Sequence, residues 1–415
     1  MGSKRAGTTG RAFLVLGLLL ASADVLVTPA SSAPAVPDEA TTSSGPAEAG
    51  ATNWRVVSAG DEHTCGIQTT GRLYCWGNNN YGQLGRGTQA PDHAFYATPV
   101  EAQPGANNWT SVSAGDEHTC GLRANGRIYC WGLNVFGELG DGTYETRLVP
   151  TLVAGGHTDW VSVSAGYDHT CGRRSNGRIY CWGDDDFGQL GDGAGETDRQ
   201  VPRLVAGGIR NWVSVDTGQG LTCARRANRT AWCWGDDGYG AVGDGPGSTS
   251  RFVPRLVAGG ITNWTRLAVG QYHVCGRRAS GRLLCWGNDV FGQLGNGGPD
   301  SDRFSPTAVS GGVSNWTTVD AGEGHTCAGR SNGWIWCWGQ GDSGQRGDGT
   351  VASESTPGLA VFGAGTWTTL STGEDHTCAI KPSKRLFCWG EGSDHQLGNG
   401  SPSDQSRPVE VFFPS

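Results

Sequence analysis

Two cysteines ten positions apart, flanking an Asn-Gly turn, could clip a metal, cycle a redox equivalent or staple two strands. The stretch HTCGLRANGRIYCWG, His118 to Gly132, holds such a pair, and the 415-residue chain repeats it until all 14 cysteines are used. The pairs are Cys65/Cys75, Cys120/Cys130, Cys171/Cys181, Cys223/Cys233, Cys275/Cys285, Cys327/Cys337 and Cys378/Cys388. A zinc site needs four ligands, whereas one hairpin offers two cysteines and no C-x-x-C knuckle. Seven equal copies also point to scaffolding, which disfavours a redox centre. A three-residue loop, Ala124-Asn125-Gly126, suits a type I turn followed by a left-handed Gly. Leu122 then faces Ile128, Gly121 faces Tyr129, and Cys120 lies opposite Cys130, within disulfide reach. All seven pairs therefore read as cross-strand disulfides, each contributing roughly 2.5 to 3 kcal/mol in the chain-entropy model. Arg229 and Lys384 stand where other hairpins have the turn Gly, and a left-handed Arg or Lys is strained, so these two hairpins are expected to close differently.

Other residues could carry chemistry. His63, His118, His169, His273, His325 and His376 recur once per unit and could form a metal ring, but the fourth unit has Leu221 in that slot. A slot that accepts Leu reads as scaffold, with each His making a repeated internal hydrogen bond. Asp184-Asp185-Asp186 with Asp192 could hold calcium, although no EF-hand spacing is present. Fourteen of the 17 tryptophans fill two framework slots per unit, which leaves Trp232, Trp334 and Trp336 as candidates for a local aromatic pocket. GDSG at Gly341 to Gly344 and RGD at Arg346 to Asp348 look like a protease nucleophile and an adhesion tripeptide, yet both fall in the slot of a repeated Gly-rich loop. There is no Walker A loop, H-E-x-x-H or G-x-S-x-G, so no catalytic residue, metal or cofactor is assigned. The Asn-x-Ser/Thr triplets at Asn108, Asn228, Asn263, Asn315 and Asn399 matter only where a host glycosylates exported proteins.

The elements that must position these residues follow from the repeat. The Trp of Cys-Trp-Gly falls at 76, 131, 182, 234, 286, 338 and 389, so seven units of just over 50 residues fill the chain. A period near 50 with several short strands per unit is the mark of a propeller. Each unit carries a Trp-to-Ala-Gly strand, a His-Thr-Cys strand, a Cys-Trp strand and a Pro-x-x-Val strand. With the Pro strand taken as the opening one, the first unit lacks it, while Arg407 to Phe413 is a strand with no unit after it; the C-terminal strand is therefore expected to join the first blade and close the ring. Ahead of the repeats, Lys4, Arg5 and Arg11 precede the apolar run Ala12 to Leu20 and then Ala21-Ser22-Ala23, which reads as a signal peptide. The expected organisation is a signal peptide over 1–23, with cleavage as late as Ala30, a flexible linker over 24–51, and an all-β, seven-bladed propeller of four-stranded blades over 52–415. A membrane anchor is disfavoured, because the apolar stretch is broken by Asp24 and falls short of the ~20 residues a bilayer requires.

The Ser-Ala-Gly...His-Thr, Trp-Gly-x-Asn and Gly-Gln-Leu-Gly-x-Gly elements resemble those of the regulator of chromosome condensation repeat family over about residues 52 to 415. The resemblance implies a seven-bladed β-propeller. Members of that family act as exchange factors for small GTPases, as chromatin-associated scaffolds and, when secreted by bacteria, in at least one case as inhibitors that cap a β-lactamase. The nuclear exchange factor uses a wedge within one blade, for which no unit here has room. Export would also remove such a partner, so exchange activity is the weaker alternative.

Strand direction alternates within a blade, so the Ala-Gly-x-x-His turns and Gly-rich loops share one face, and the Asn-Gly hairpins and Ala-Gly-Gly turns share the other. The first face receives 30 of the 39 Asp and Glu, among them Asp61, Glu62, Asp116, Glu117, Asp184, Asp185, Asp186, Asp236, Asp237, Glu374 and Asp375. Arg123, Arg173, Arg174, Arg225, Arg226, Arg277 and Arg278 lie toward the second, so a net charge of −8 hides a polar disc. The sequence thus points to an exported, non-enzymatic, monomeric propeller, secreted or held at the cell envelope, with no membrane span once the leader is cut. It would bind a protein or surface polymer through the acidic loops. Nucleic acid is disfavoured by export and by the missing recognition motif. An extracellular enzyme with an axial pocket acting on a glycan or peptide is the main alternative.

Overall fold

A computed structural model describes residues 53–88, 95–360 and 365–413. The expected signal peptide and linker lie outside the described residues. The chain divides at residues 47 and 48, and the second unit, Glu48–Ser415, holds all the strands described here. They are numbered β1 to β28 in chain order and fall into seven four-stranded antiparallel sheets, each built from four consecutive strands. In the first sheet β1 (Trp54–Ala59), β2 (His63–Gln68), β3 (Leu73–Gly77) and β4 (Tyr96–Glu101) lie side by side in that order. No helix among the described residues is long and apolar enough to cross a membrane.

The hairpin register is the one that the cysteines require: Leu122 faces Ile128, Gly121 faces Tyr129 and Cys120 faces Cys130. The disulfides are Cys65–Cys75, Cys120–Cys130, Cys171–Cys181, Cys223–Cys233, Cys275–Cys285, Cys327–Cys337 and Cys378–Cys388, the seven pairs expected from the spacing. Each lies within one hairpin, between directly opposed residues whose Cα atoms are 4.1 Å apart. No cysteine among the described residues is free, so none remains to ligate a metal or cycle electrons.

The two hairpins that lack the turn Gly do not close differently, contrary to expectation. Arg229 and Lys384 take the glycine conformation, with φ of 63° and 65°. The same bonds bracket them as elsewhere: Lys384 N–H donates to Lys381 O at 2.8 Å, and Lys384 O accepts from Trp54 N–H of the next blade at 3.0 Å. Contacts on both sides hold a left-handed residue that free chain would avoid.

The C-terminal strand corrects a further expectation. β28 (Gln405–Glu410) pairs with β27 (Leu386–Gly390) and completes the seventh blade, while the first blade already has four strands of its own. Each Pro strand is the fourth of its own blade, so no strand is exchanged. The ring closes as every other seam does. Glu374 N–H donates to Gly60 O at 3.2 Å, as Asp61 N–H does to Gly115 O, and Trp54 N–H takes the hairpin carbonyl of Lys384 as Trp109 N–H takes that of Gly71. Side chains after β28 then cover the seam: Val411 is buried with Trp54, Tyr74 and Trp76, and Phe413 lies edge-on to Tyr74 at 5.0 Å.

The core is a stack of seams between blades. The Trp of each Cys-Trp-Gly is fully buried, and its Nε1 donates to a Gly-rich-loop carbonyl of the preceding blade, as Trp131 does to Gln83 O at 2.8 Å. The Gly after that loop's Leu must be Gly: at Gly191, with φ of 64°, a Cβ would lie 2.5 Å from Trp234 Nε1. Nearer the axis, inner-strand side chains hold the N–H of the next blade, as Ser58 Oγ holds Ala114 at 3.0 Å and Asp320 Oδ2 holds Thr372 at 3.0 Å.

Candidate functional site

The histidines belong to this stitching. Each of the six presents Nε2 to a Thr hydroxyl of the next blade at 2.7 to 2.8 Å: His63 to Thr119, His118 to Thr170, His169 to Thr222, His273 to Thr326, His325 to Thr377 and His376 to Thr64. The Thr hydroxyl itself donates to a loop carbonyl, as Thr119 does to Gln83 O, so the imidazole must donate to the hydroxyl. Burial pushes these histidines down to about 3 or 4, and they stay neutral at physiological pH. At the seam of blades four and five both partners change together, and Leu221 meets Val274 in an apolar contact. With every Nε2 engaged, these residues do not form a metal ring.

The acidic face sorts into three groups. Asp61, Asp116 and Glu374 follow the Gly that ends their inner-strand motif and line a cavity of about 120 Å³ on the axis. Tyr167, Gln219, Gln271 and Glu323 complete this ring of seven; the sequence reading counted Glu323 with the acidic face but named none of the four as site residues, although each occupies the same slot as Asp61. One residue further along stand Glu62, Glu117, Asp375 and Asp168, the last also not named. Burial, then the like charges of neighbouring carboxylates, raises Glu62 and Glu374 to about 7 and Asp168 and Asp375 to about 8. Burial likewise raises Asp116 to about 7, against the opposing effect of the Tyr167 hydroxyl, and raises Glu323. The rim carboxylates Asp61, Asp116, Glu323 and Glu374 form no ion pair with Lys or Arg among the described residues.

The remaining expected acids are loop residues. Asp185 and Asp237 are buried and brace their own Gly-rich loops, accepting from Leu190 N–H at 3.0 Å and Val242 N–H at 3.1 Å. Asn79 and Asn134 do the same in other blades, so this slot asks for an acceptor and not for a charge. Asp184 and Asp236 are partly buried and Asp186 is exposed on the outer loops. The acid set expected for calcium is not brought together. Asp185 faces its own loop and Asp192 pairs with Arg199 at 3.0 Å, whereas Asp184, Asp186 and Asp198 have carboxylate oxygens within 4.8 Å of one another. This is an ordinary acidic loop cluster and supports no metal assignment.

The opposite face is less basic than its arginine count suggests. Arg174 pairs with Asp159 at 2.8 Å, Arg226 and Arg278 donate to Asn211 and Asn263, and Arg277 donates across a seam to Trp316 O. Arg123 stacks over Trp109 at 4.3 Å. These guanidiniums are engaged inside the fold. Arg346 of the RGD tripeptide is 4% exposed and ion-paired with Asp348, and Ser343 of GDSG sits in a braced loop. Neither has the setting its motif would need.

Comparison with known proteins agrees with this architecture. Residues 28–300 match the RCC1-like domain, and residues 280–328, 332–380 and 384–415 match the regulator of chromosome condensation (RCC1) repeat. The chain is 30% identical over 360 residues to the ultraviolet-B receptor UVR8 of Arabidopsis thaliana, covering 85% of this chain and 80% of that protein. It is 27% identical over 369 residues to the mouse regulator of chromosome condensation, covering 86% and 76%. Among solved structures, human WBSCR16 superposes with a TM-score of 0.73 at 21% identity, over 83% of this chain and 94% of that one. Prp20p of Saccharomyces cerevisiae, described with its binding to Gsp1p and histones, also gives 0.73, at 20% identity over 84% and 87%. With its seven stapled blades and these matches, the chain belongs to the regulator of chromosome condensation (RCC1) repeat family.

Proposed function

We propose that the protein is an exported binding propeller whose axial acidic mouth receives Lys or Arg side chains from a protein partner. The observation that carries this reading is the ring at the axis: four carboxylates from four blades, without basic partners among the described residues, around a preformed cavity of about 120 Å³. Export is supported by seven disulfides, which persist in oxidising compartments. Binding of protein partners by Prp20p is consistent with such a role. An axial active site on a glycan or peptide would draw on the same carboxylates as acid and base, and a turnover screen separates the two readings.

Octa-arginine serves as the probe, titrated calorimetrically into the mature protein. Carboxylates raised to about 7 or 8 gain full charge only as pH rises through those values. Affinity should therefore increase from pH 6 to pH 8, fall with salt, and drop at least ~tenfold in Asp116→Asn/Glu323→Gln. Affinity that is flat in pH and unchanged in the double variant would refute an axial cation site.

A further inference from the structure

The seam between blades six and seven differs from the other six. The residue two after the first Cys of each unit points into the seam with the next blade, and six of the seven units place a side chain there: Ile67, Leu122, Arg173, Arg225, Arg277 and Ile380. Ile67, for example, packs with Trp109 and Trp131 of the following blade. The sixth unit has Gly329, and a cavity of about 200 Å³ opens where the other seams are filled. The other six inner-strand tryptophans are at most 3% exposed, but Trp367 is only partly buried and forms one wall.

The remaining walls are chemically mixed. Ile335 and Leu370 are apolar, while Thr317, Thr318, Thr368 and Thr369 bring four hydroxyls. Those of Thr317 and Thr368 donate to the carbonyls of Gly329 and Ile380 and keep their acceptor lone pairs; those of Thr318 and Thr369 are uncommitted among the described residues. Arg330 lines the same cavity, stacked 3.8 Å from the Trp336 ring and 4.4 Å from that of Trp316. Its counterparts Arg174, Arg226 and Arg278 each have a carboxylate or amide acceptor, but the Arg330 guanidinium has none among the described residues, and its Nε is buried without a partner. Asn315, the counterpart of Asn211 and Asn263, donates through Nδ2 to Ser331 Oγ, and no bond from Arg330 to its Oδ1 is present among the described residues.

We propose that this cleft is a binding site for one acidic sugar residue, a pyranose ring carrying a carboxylate. The indole of Trp367 supplies a flat face for the C–H side of the ring, the threonines supply donors and acceptors for its hydroxyls, and Arg330 pairs with the carboxylate. The volume suits one ring with its substituents, given that a dry cavity of about 150 Å³ holds benzene. The site lies on the hairpin face and is independent of the axial mouth.

Saturation-transfer NMR and calorimetry on the full mature chain test the proposal with D-glucuronate, D-glucose and benzoate. Glucuronate should bind, and bind at least ~tenfold more tightly than either of the others. Gly329→Ile reproduces the seventh unit, where Ile380 stands opposite Thr369 as Gly329 stands opposite Thr318, so the variant should fold with its disulfides intact and lose binding. Arg330→Gln leaves the cleft open and should weaken glucuronate at least ~tenfold while leaving glucose unchanged. The proposal fails if glucose or benzoate matches glucuronate, if glucuronate binding survives Gly329→Ile in folded protein, or if none of the three binds.

Discussion

At the scale of single residues, the molecule contains its own control for the seam hydrogen bonds. The pair Leu221/Val274 replaces His and Thr together, which is the outcome expected when a buried donor and acceptor depend on each other. Removing one partner should therefore cost more than removing both. In Thr326→Val the His273 Nε2–H loses its acceptor inside the seam, whereas the Gln293 carbonyl keeps Trp338 as a donor. Urea denaturation should find Thr326→Val destabilised by about 1–3 kcal/mol, with His273→Leu/Thr326→Val less destabilised than the single variant. Additive losses would show that the two side chains do not act as a pair.

At the scale of elements, what the sequence made legible depended on whether a feature is local. The hairpin register followed from the Cys spacing and the turn alone, since one slipped residue would separate every cysteine pair. The assignment of Pro strands was different. In a cyclic repeat a linking strand can be the first of one blade or the fourth of another with the same local pattern, and the packing of β28 against β27 decides it. The axial ring was hidden for a related reason: the slot after the inner-strand Gly is visible seven times, but only the closed ring brings Tyr167, Gln219 and Gln271 beside the carboxylates. Gly329 was equally visible and could be read as a cleft only once its six counterparts were seen to fill seams. The turn residues show the converse, that a strained sequence need not change an element. Lys384→Gly should keep the fold and raise stability by about 0.5–1 kcal/mol, because the left-handed backbone costs a side-chain-bearing residue more than it costs glycine. A loss of stability in thermal melts would show that the Lys384 side chain contributes more than its backbone costs.

At the scale of the whole molecule, two sets of buried titratable groups pull stability in opposite directions with pH. The six histidines have folded values near 3 or 4, below the usual 6.5, so their contribution is present above pH 6.5 and is lost as pH falls toward those folded values. The carboxylates crowded on the acidic face behave inversely. Glu62, Glu138 and Glu374 at about 7, with Asp168 and Asp375 at about 8, favour the fold when protonated and lose that contribution as pH rises through 7 and 8. Between pH 8 and pH 7 the folded-state carboxylates take up protons while most unfolded-state histidines remain neutral. The melting temperature should therefore rise as pH falls from 8 to 7, and decline only in stronger acid, below about pH 4, where the unfolded carboxylates are protonated too and the histidines that the fold holds neutral remain the difference between the two states. Substituting the axial acids Asp116→Asn and Glu374→Gln should flatten the rise, while His273→Leu/Thr326→Val should leave it in place and soften the acid limb. A melting temperature that falls between pH 8 and pH 7 would mean that the acidic face does not hold its carboxylates under strain. The ring would then lack the pent-up charge on which the proposed recognition of a cationic partner depends.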